Sequence, residues 1–87
     1  MTFEVEFTNA AQKSLEKLDA EQQRRIAGAI ELLRINPRPP AAIMLRGGLK
    51  GLWRVRVGDH RIVYTIKDEQ LIVLVLRIGH RRDVYER

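Results

Sequence analysis

One segment, Leu52 to Tyr64, restricts this chain more than any other. It reads Leu-Trp-Arg-Val-Arg-Val-Gly-Asp-His-Arg-Ile-Val-Tyr. Side chains alternate faces along a strand. Trp53, Val55 and Val57 therefore share one side, and Arg54 and Arg56 share the other. A two-residue Gly58-Asp59 loop sets Val57 opposite His60, and glycine at the first loop position suits a type II′ turn. Ile62, Tyr64 and Ile66 then join the Trp53 side and Arg61 joins the arginines. A slip of one residue would turn Arg61 toward the apolar side, so the pattern itself selects this register. The expectation is a hairpin with one apolar face and one face bearing three guanidiniums, with Trp53 and Tyr64 in the core.

The rest of the chain must cover the apolar face. Phe3, Val5 and Phe7 alternate with Thr2, Glu4 and Glu6, the pattern of a half-buried strand near a sheet edge. Thr8 or Asn9 caps a short helix whose Ala11, Leu15 and Leu18 form one stripe. Asp19-Ala20-Glu21-Gln22 has capping-box spacing, and opens a second helix buried along Ile26, Ile30 and Leu33. The prolines at 37, 39 and 40 end it. Residues 41–51 read as a loop in which Ile43, Met44 and Leu45 plug the core, while Arg46 to Gly51 is a mobile basic loop beside a site. Asp68-Glu69 turns the hairpin into Leu71–Ile78, a nearly continuous apolar strand of the kind buried in a sheet centre. The order β-α-α-β-β-β predicts an α+β domain over residues 1–87, an antiparallel sheet with a two-helix hairpin packed on one face.

Charge narrows the partners. The net charge is +5. Residues 1–45 hold six Lys or Arg and six Asp or Glu, whereas residues 46–87 hold ten and five. The whole excess lies in the half that carries the arginine-faced hairpin, which favours a polyanionic partner. With no cysteine and no Asp/Glu/His cluster at metal-ligand spacing, the expectation is no cofactor and no metal. No apolar run approaches the ~20 residues of a membrane span. The opening residues lack the pattern of a secretory signal, so the expected location is the cytoplasm, with no membrane partner. Arg46-Gly47-Gly48 lacks the spacing of a nucleotide-binding loop.

The chain resembles the RelE/ParE superfamily of bacterial toxins, in particular the RelE branch of messenger-RNA endonucleases. The resemblance rests on Leu45-Arg46-Gly47, on the hairpin from Trp53 to Tyr64, and on Ile78-Gly79-His80-Arg81-Arg82-Asp83-Val84-Tyr85. It implies the RelE-like microbial RNase toxin fold. It also implies a type II toxin that cleaves messenger RNA, with the ribosome as its setting, and that is neutralised in a hetero-oligomer with a cognate, RelB-like antitoxin. The family positions fall on Arg54, Arg56, Arg61, Arg81 and Tyr85 as catalytic residues, with Arg46, Lys50, His80 and Arg82 as RNA contacts. Arginines suit the phosphate, because their planar forks bind its oxygens bidentately and stay charged. Members of that branch carry Lys where this chain has Arg54 and Arg56, which leaves the general base open among Tyr85, His80 and Lys50. Two rivals stand beside this reading: a ParE-like inhibitor of DNA gyrase, and a basic module that holds RNA or antitoxin without turnover.

Overall fold

The computed structural model describes residues 2–49 and 51–80. The elements are β1 (Glu4–Phe7), α1 (Asn9–Glu16), α2 (Ala20–Ile35), β2 (Ile43–Met44), β3 (Trp53–Val57), β4 (His60–Lys67) and β5 (Ile72–His80). The strands form one sheet in the order β1-β5-β4-β3-β2. Three of its four pairings are antiparallel, and β1 runs parallel to β5. The α+β class and the two-helix hairpin expected from the sequence hold; the expected four-stranded antiparallel sheet is corrected to a mixed sheet of five strands, with β2 added at one edge and β1 parallel to β5. The parallel edge arises because the α1–α2 hairpin and all later strands intervene between β1 and β5, a separation that permits a crossover.

The helix boundaries follow local chemistry. Thr8 caps α1, its hydroxyl accepting from the Ala11 amide at 3.1 Å. Asp19 caps α2 by accepting from the Gln22 amide at 2.8 Å. Between the helices, the Gln23 side-chain amide donates to the carbonyls of Leu15 and Leu18, both at 3.0 Å, which satisfies orphan acceptors at the end of α1. Ile26, Ile30 and Leu33 bury one face of α2 against Val55, Ile62, Tyr64, Val73, Val75 and Ile78. Trp53, Val57 and Ile66 pack at the margin of that core. The hairpin register is the expected one, with Val57 opposite His60 and Arg56 opposite Arg61. Gly58 has φ of 61°, as the first position of a type II′ turn requires.

Two further expectations change. Ile43 and Met44 do not plug the core: they form the short edge strand β2 and are 50% and 46% exposed. Their backbone pairs with β3, which sets Ile43 opposite Arg54 on the outer face and Met44 opposite Trp53 at the edge of the sheet. The second change is in β5. Val63 pairs with Arg77, but the next residue, Tyr64, pairs with Val75, so Leu76 is an extra residue, a β-bulge. The bulge reverses the alternation of every later side chain. Thr8 holds it: its hydroxyl donates to the Leu76 carbonyl at 2.8 Å, and its amide donates to the Val75 carbonyl at 3.0 Å.

The loop after α2 is pinned from beneath. Tyr64 is fully buried, and its hydroxyl donates to the Pro37 carbonyl at 2.7 Å. Arg38 forms a bidentate pair with Asp68 at 3.1 and 2.8 Å, and its guanidinium lies 5.7 Å from the Trp53 ring centroid. Burial pushes the Tyr64 phenol up from 10.0 to about 12, against a smaller opposing effect of the Arg38 charge.

Two outcomes follow from these contacts. The folded Tyr64 holds its proton more tightly than the unfolded one, so its contribution to stability is whole below about pH 10 and declines as pH rises toward about 12. Tyr64→Phe is expected to cost about 1 kcal/mol at neutral pH and to flatten this alkaline loss, as read by denaturant unfolding across pH. Thr8→Ala removes a helix cap and the bond to the bulge together. It is expected to cost about 1–2 kcal/mol, with most of the loss restored in Thr8→Ser. A Thr8→Ala protein as stable as the parent would show that the bulge holds itself.

Candidate functional site

The strands set the basic side chains in rows across the sheet face that turns away from the helices. Ladder partners share a face. Ile43, Arg54, Val63 and Arg77 form one row, contributed by β2, β3, β4 and β5 in turn. Arg56, Arg61 and Gly79 form the next. Neighbouring strands lie about 4.8 Å apart, so four arginine stems rise from an area two rows deep. Gly79, the ladder partner of Arg61, contributes no side chain.

Arg54 and Arg61 are half-buried, and Arg56 and Arg77 are exposed. Val63, between Arg54 and Arg77, is 6% exposed although it lies on this outer face. The acidic side chains of the face stand at its other end: Glu4 and Glu6 on β1, opposite Ile72 and Leu74. The same strand face is thus acidic and apolar at one end and cationic at the other. Arg56 and Arg77 take part in no ion pair among the described residues; the pairs there are Arg34–Glu31 and Arg38–Asp68. Like charges directly across a ladder repel, and an anion laid across the rows relieves that repulsion.

The sequence-predicted residues divide into three groups. Arg54, Arg56 and Arg61 come together as expected. Arg46 is exposed in the loop after β2 and stands outside the rows. His80 ends β5 directly opposite His60, the two rings edge to face with centroids 6.0 Å apart. Alternation from the buried Ile78 puts His80 on the helix side of the sheet, across the strand from Arg61. Lys50, Arg81, Arg82 and Tyr85 lie outside the described residues.

Arg77 was not visible as a site residue from the sequence. Strict alternation from Val73 and Val75 assigns it to the helix side. Only the Leu76 bulge brings it to the arginine face. The available signal was its being the single charge within Leu71–Ile78. Among the described residues, no group of three or more His, Asp or Glu side chains converges as a metal-ligand set. What the rows do offer chemically is four arginines carried on paired strands and not on loops, a side chain whose planar fork can bind phosphate or carboxylate oxygens.

Comparison with known proteins agrees with this architecture. Residues 5–85 match the family described as the ParE toxin of the type II toxin–antitoxin system parDE. The toxin RelG of Mycobacterium tuberculosis is 36% identical over 90 residues, covering 100% of both chains. The toxin–antitoxin complex RelBE2 of Mycobacterium tuberculosis superposes with a TM-score of 0.83 at 32% identity, over 93% of this chain and 100% of that one. The archaeal RelE–RelB complex of Pyrococcus horikoshii gives 0.81 at 27% identity, over 97% and 100%. With β1 through β5 and the arginine rows all inside the matched span, the chain belongs to the RelE/ParE family of type II toxin–antitoxin toxins.

Proposed function

We propose that this toxin is a metal-independent endoribonuclease that cleaves messenger RNA, with the ribosome as its setting, and so inhibits translation. The observation that carries the reading is the pair of arginine rows: Arg56 facing Arg61, with Arg54 and Arg77 on either side of Val63. In such a cleavage the 2′-oxygen attacks the adjacent phosphorus, the bond to the 5′-oxygen breaks, and a 2′,3′-cyclic phosphate is left. Negative charge builds on the phosphoryl oxygens in the transition state. Guanidiniums fixed on strands stabilise it without reorganising, which is often the largest catalytic contribution.

The proton transfers need other groups, because arginine stays protonated. Tyr85, His80 and Lys50 are the candidates for the base, with Arg81 joining the charge array and Arg46 and Arg82 contacting RNA. Of these, His80 ends β5. The partner we propose is a RelB-like antitoxin whose acidic segment lies on the basic half of the chain, in keeping with the RelBE2 and RelE–RelB complexes. The cytoplasm is the proposed location; no helix among the described residues is long and apolar enough to cross a membrane. The ParE name of the matching family supports a second reading, inhibition of DNA gyrase.

Induction of the toxin alone is expected to arrest translation and to generate new 5′ ends inside coding sequences. Arrest with intact transcripts and broken DNA would establish the gyrase reading instead. Arg56→Ala is expected to lower the cleavage rate about 10²–10³-fold while changing stability by no more than about 0.5 kcal/mol, since an exposed side chain with a like-charged neighbour is removed.

Single-turnover cleavage across pH separates the bases. If Tyr85 accepts the proton, Tyr85→Phe slows cleavage and alters the pH profile with RNA affinity unchanged. If His80 does, His80→Gln slows cleavage and removes one limb of the pH profile while Tyr85→Phe is silent. Full activity in both variants assigns the step to Lys50 or to charge stabilisation alone.

A further inference from the structure

β1 ends its pairing with β5 at Phe7 and Val75. Among the described residues, β5 beyond that point has no strand on that side, and α1 passes there instead. Between them lies a groove of about 520 Å³. Its polar lining is Ser14 from α1, Lys17 at the C-cap of α1, His60 from β4, and Arg77 and His80 from β5. No Asp or Glu among the described residues lines it. Lys17 and Arg77 are exposed, and neither is in an ion pair among the described residues. His60 Nδ1, on the groove wall, is buried with no hydrogen-bond partner there.

The groove is continuous with the arginine face. Gly79 belongs to both: it lines the groove and is the ladder partner of Arg61. Having no side chain, it leaves a path from the Arg56–Arg61 row over the free edge of β5. Arg77 marks the same path, standing in the row of Arg54 while lining the groove. A chain of phosphates leaving the arginine face by this edge meets a cationic, hydroxyl-bearing slot with no carboxylate among its described lining residues.

From this placement we infer that the α1–β5 groove is a second anion subsite. It holds a backbone phosphate of the bound RNA beyond the scissile bond, with Lys17 and Arg77 as the charges that grip it and Ser14 as a hydroxyl donor. The inference rests on the RNA-cleaving reading of the arginine face. It assigns this end of α1 a role in how long a stretch of RNA is held, and none in the bond-breaking step.

The test uses the full chain and 2′-O-methylated RNA, which binds without being cleaved. A short oligonucleotide of about three residues and a longer one of about twelve are compared across salt concentration. For the longer RNA, the Ser14→Ala/Lys17→Ala double variant is expected to lose about tenfold in affinity. Its slope of log affinity against log salt should flatten by about 0.7 for the one lost charged phosphate contact. Binding of the short RNA stays at the parent level. The charge-preserving Lys17→Arg variant keeps the parent slope, which a merely misfolded protein would not do. Arg56→Ala is the reference for the arginine face and weakens both RNAs. If Arg56→Ala weakens binding and the double variant matches the parent on both lengths, the groove inference alone is overturned. If the double variant keeps RNA affinity and loses affinity for an acidic antitoxin segment, the groove belongs to the protein partner and the inference again fails. If the parent chain binds neither RNA, the RNA-cleaving reading falls together with the groove.

Discussion

The Thr8 hydroxyl does more for this architecture than a helix cap ordinarily does. It accepts from the Ala11 amide, so that α1 starts there, and donates to the Leu76 carbonyl, which the bulge leaves without a ladder partner. One oxygen thus joins the beginning of the helical layer to the centre of the sheet, 68 residues away in sequence. The face to which Arg77 points depends on that joint. Before Leu76, β5 sends Val73 and Val75 to the helices; after it, β5 sends Ile78 there and releases Arg77 to the opposite face. An unpaired carbonyl beneath α1 would be costly, so the bulge and the cap stabilise one another.

The two faces of the sheet divide the work by physical necessity. The helix side is apolar and tight: Tyr64, Ile62, Val73 and Val75 are 0% exposed. That burial supplies the stability of an 87-residue chain, which is close to the smallest size that sustains a core without a disulfide or a metal. The outer side spends some of it. Arg56 and Arg61 are ladder partners, and like charges directly opposite one another repel. The acidic residues of β1 are kept at the far end of the same face, so the field over the arginines is not cancelled locally.

The arrangement also explains how one fold serves a family with differing names. The helical layer and the sheet register carry no chemistry of their own. In this chain the outer rows set four arginines among Ile43, Val63 and Gly79, a side chain whose planar fork suits anionic oxygens.

By itself the sequence determined the hairpin, its register, its turn and the two helix caps. All of these are set by contacts between residues close in the chain, where alternation, a glycine of positive φ and a side-chain oxygen three positions ahead suffice. It also determined which side of β3 and β4 carries Arg54, Arg56 and Arg61, because only one register buries Trp53 and Tyr64. The tertiary structure alone decided the parallel partner of β5, since a nearly all-apolar strand has no pattern to say which neighbour lies on which edge. It decided that Ile43 and Met44 pair along an edge and do not fill the core, which depends on how much of the apolar face the helices leave uncovered. And it decided the place of Arg77. Period-two alternation extended along β5 points that residue inward; a single extra residue, held by a threonine from the other end of the chain, points it outward and places it between the arginine face and the groove under α1.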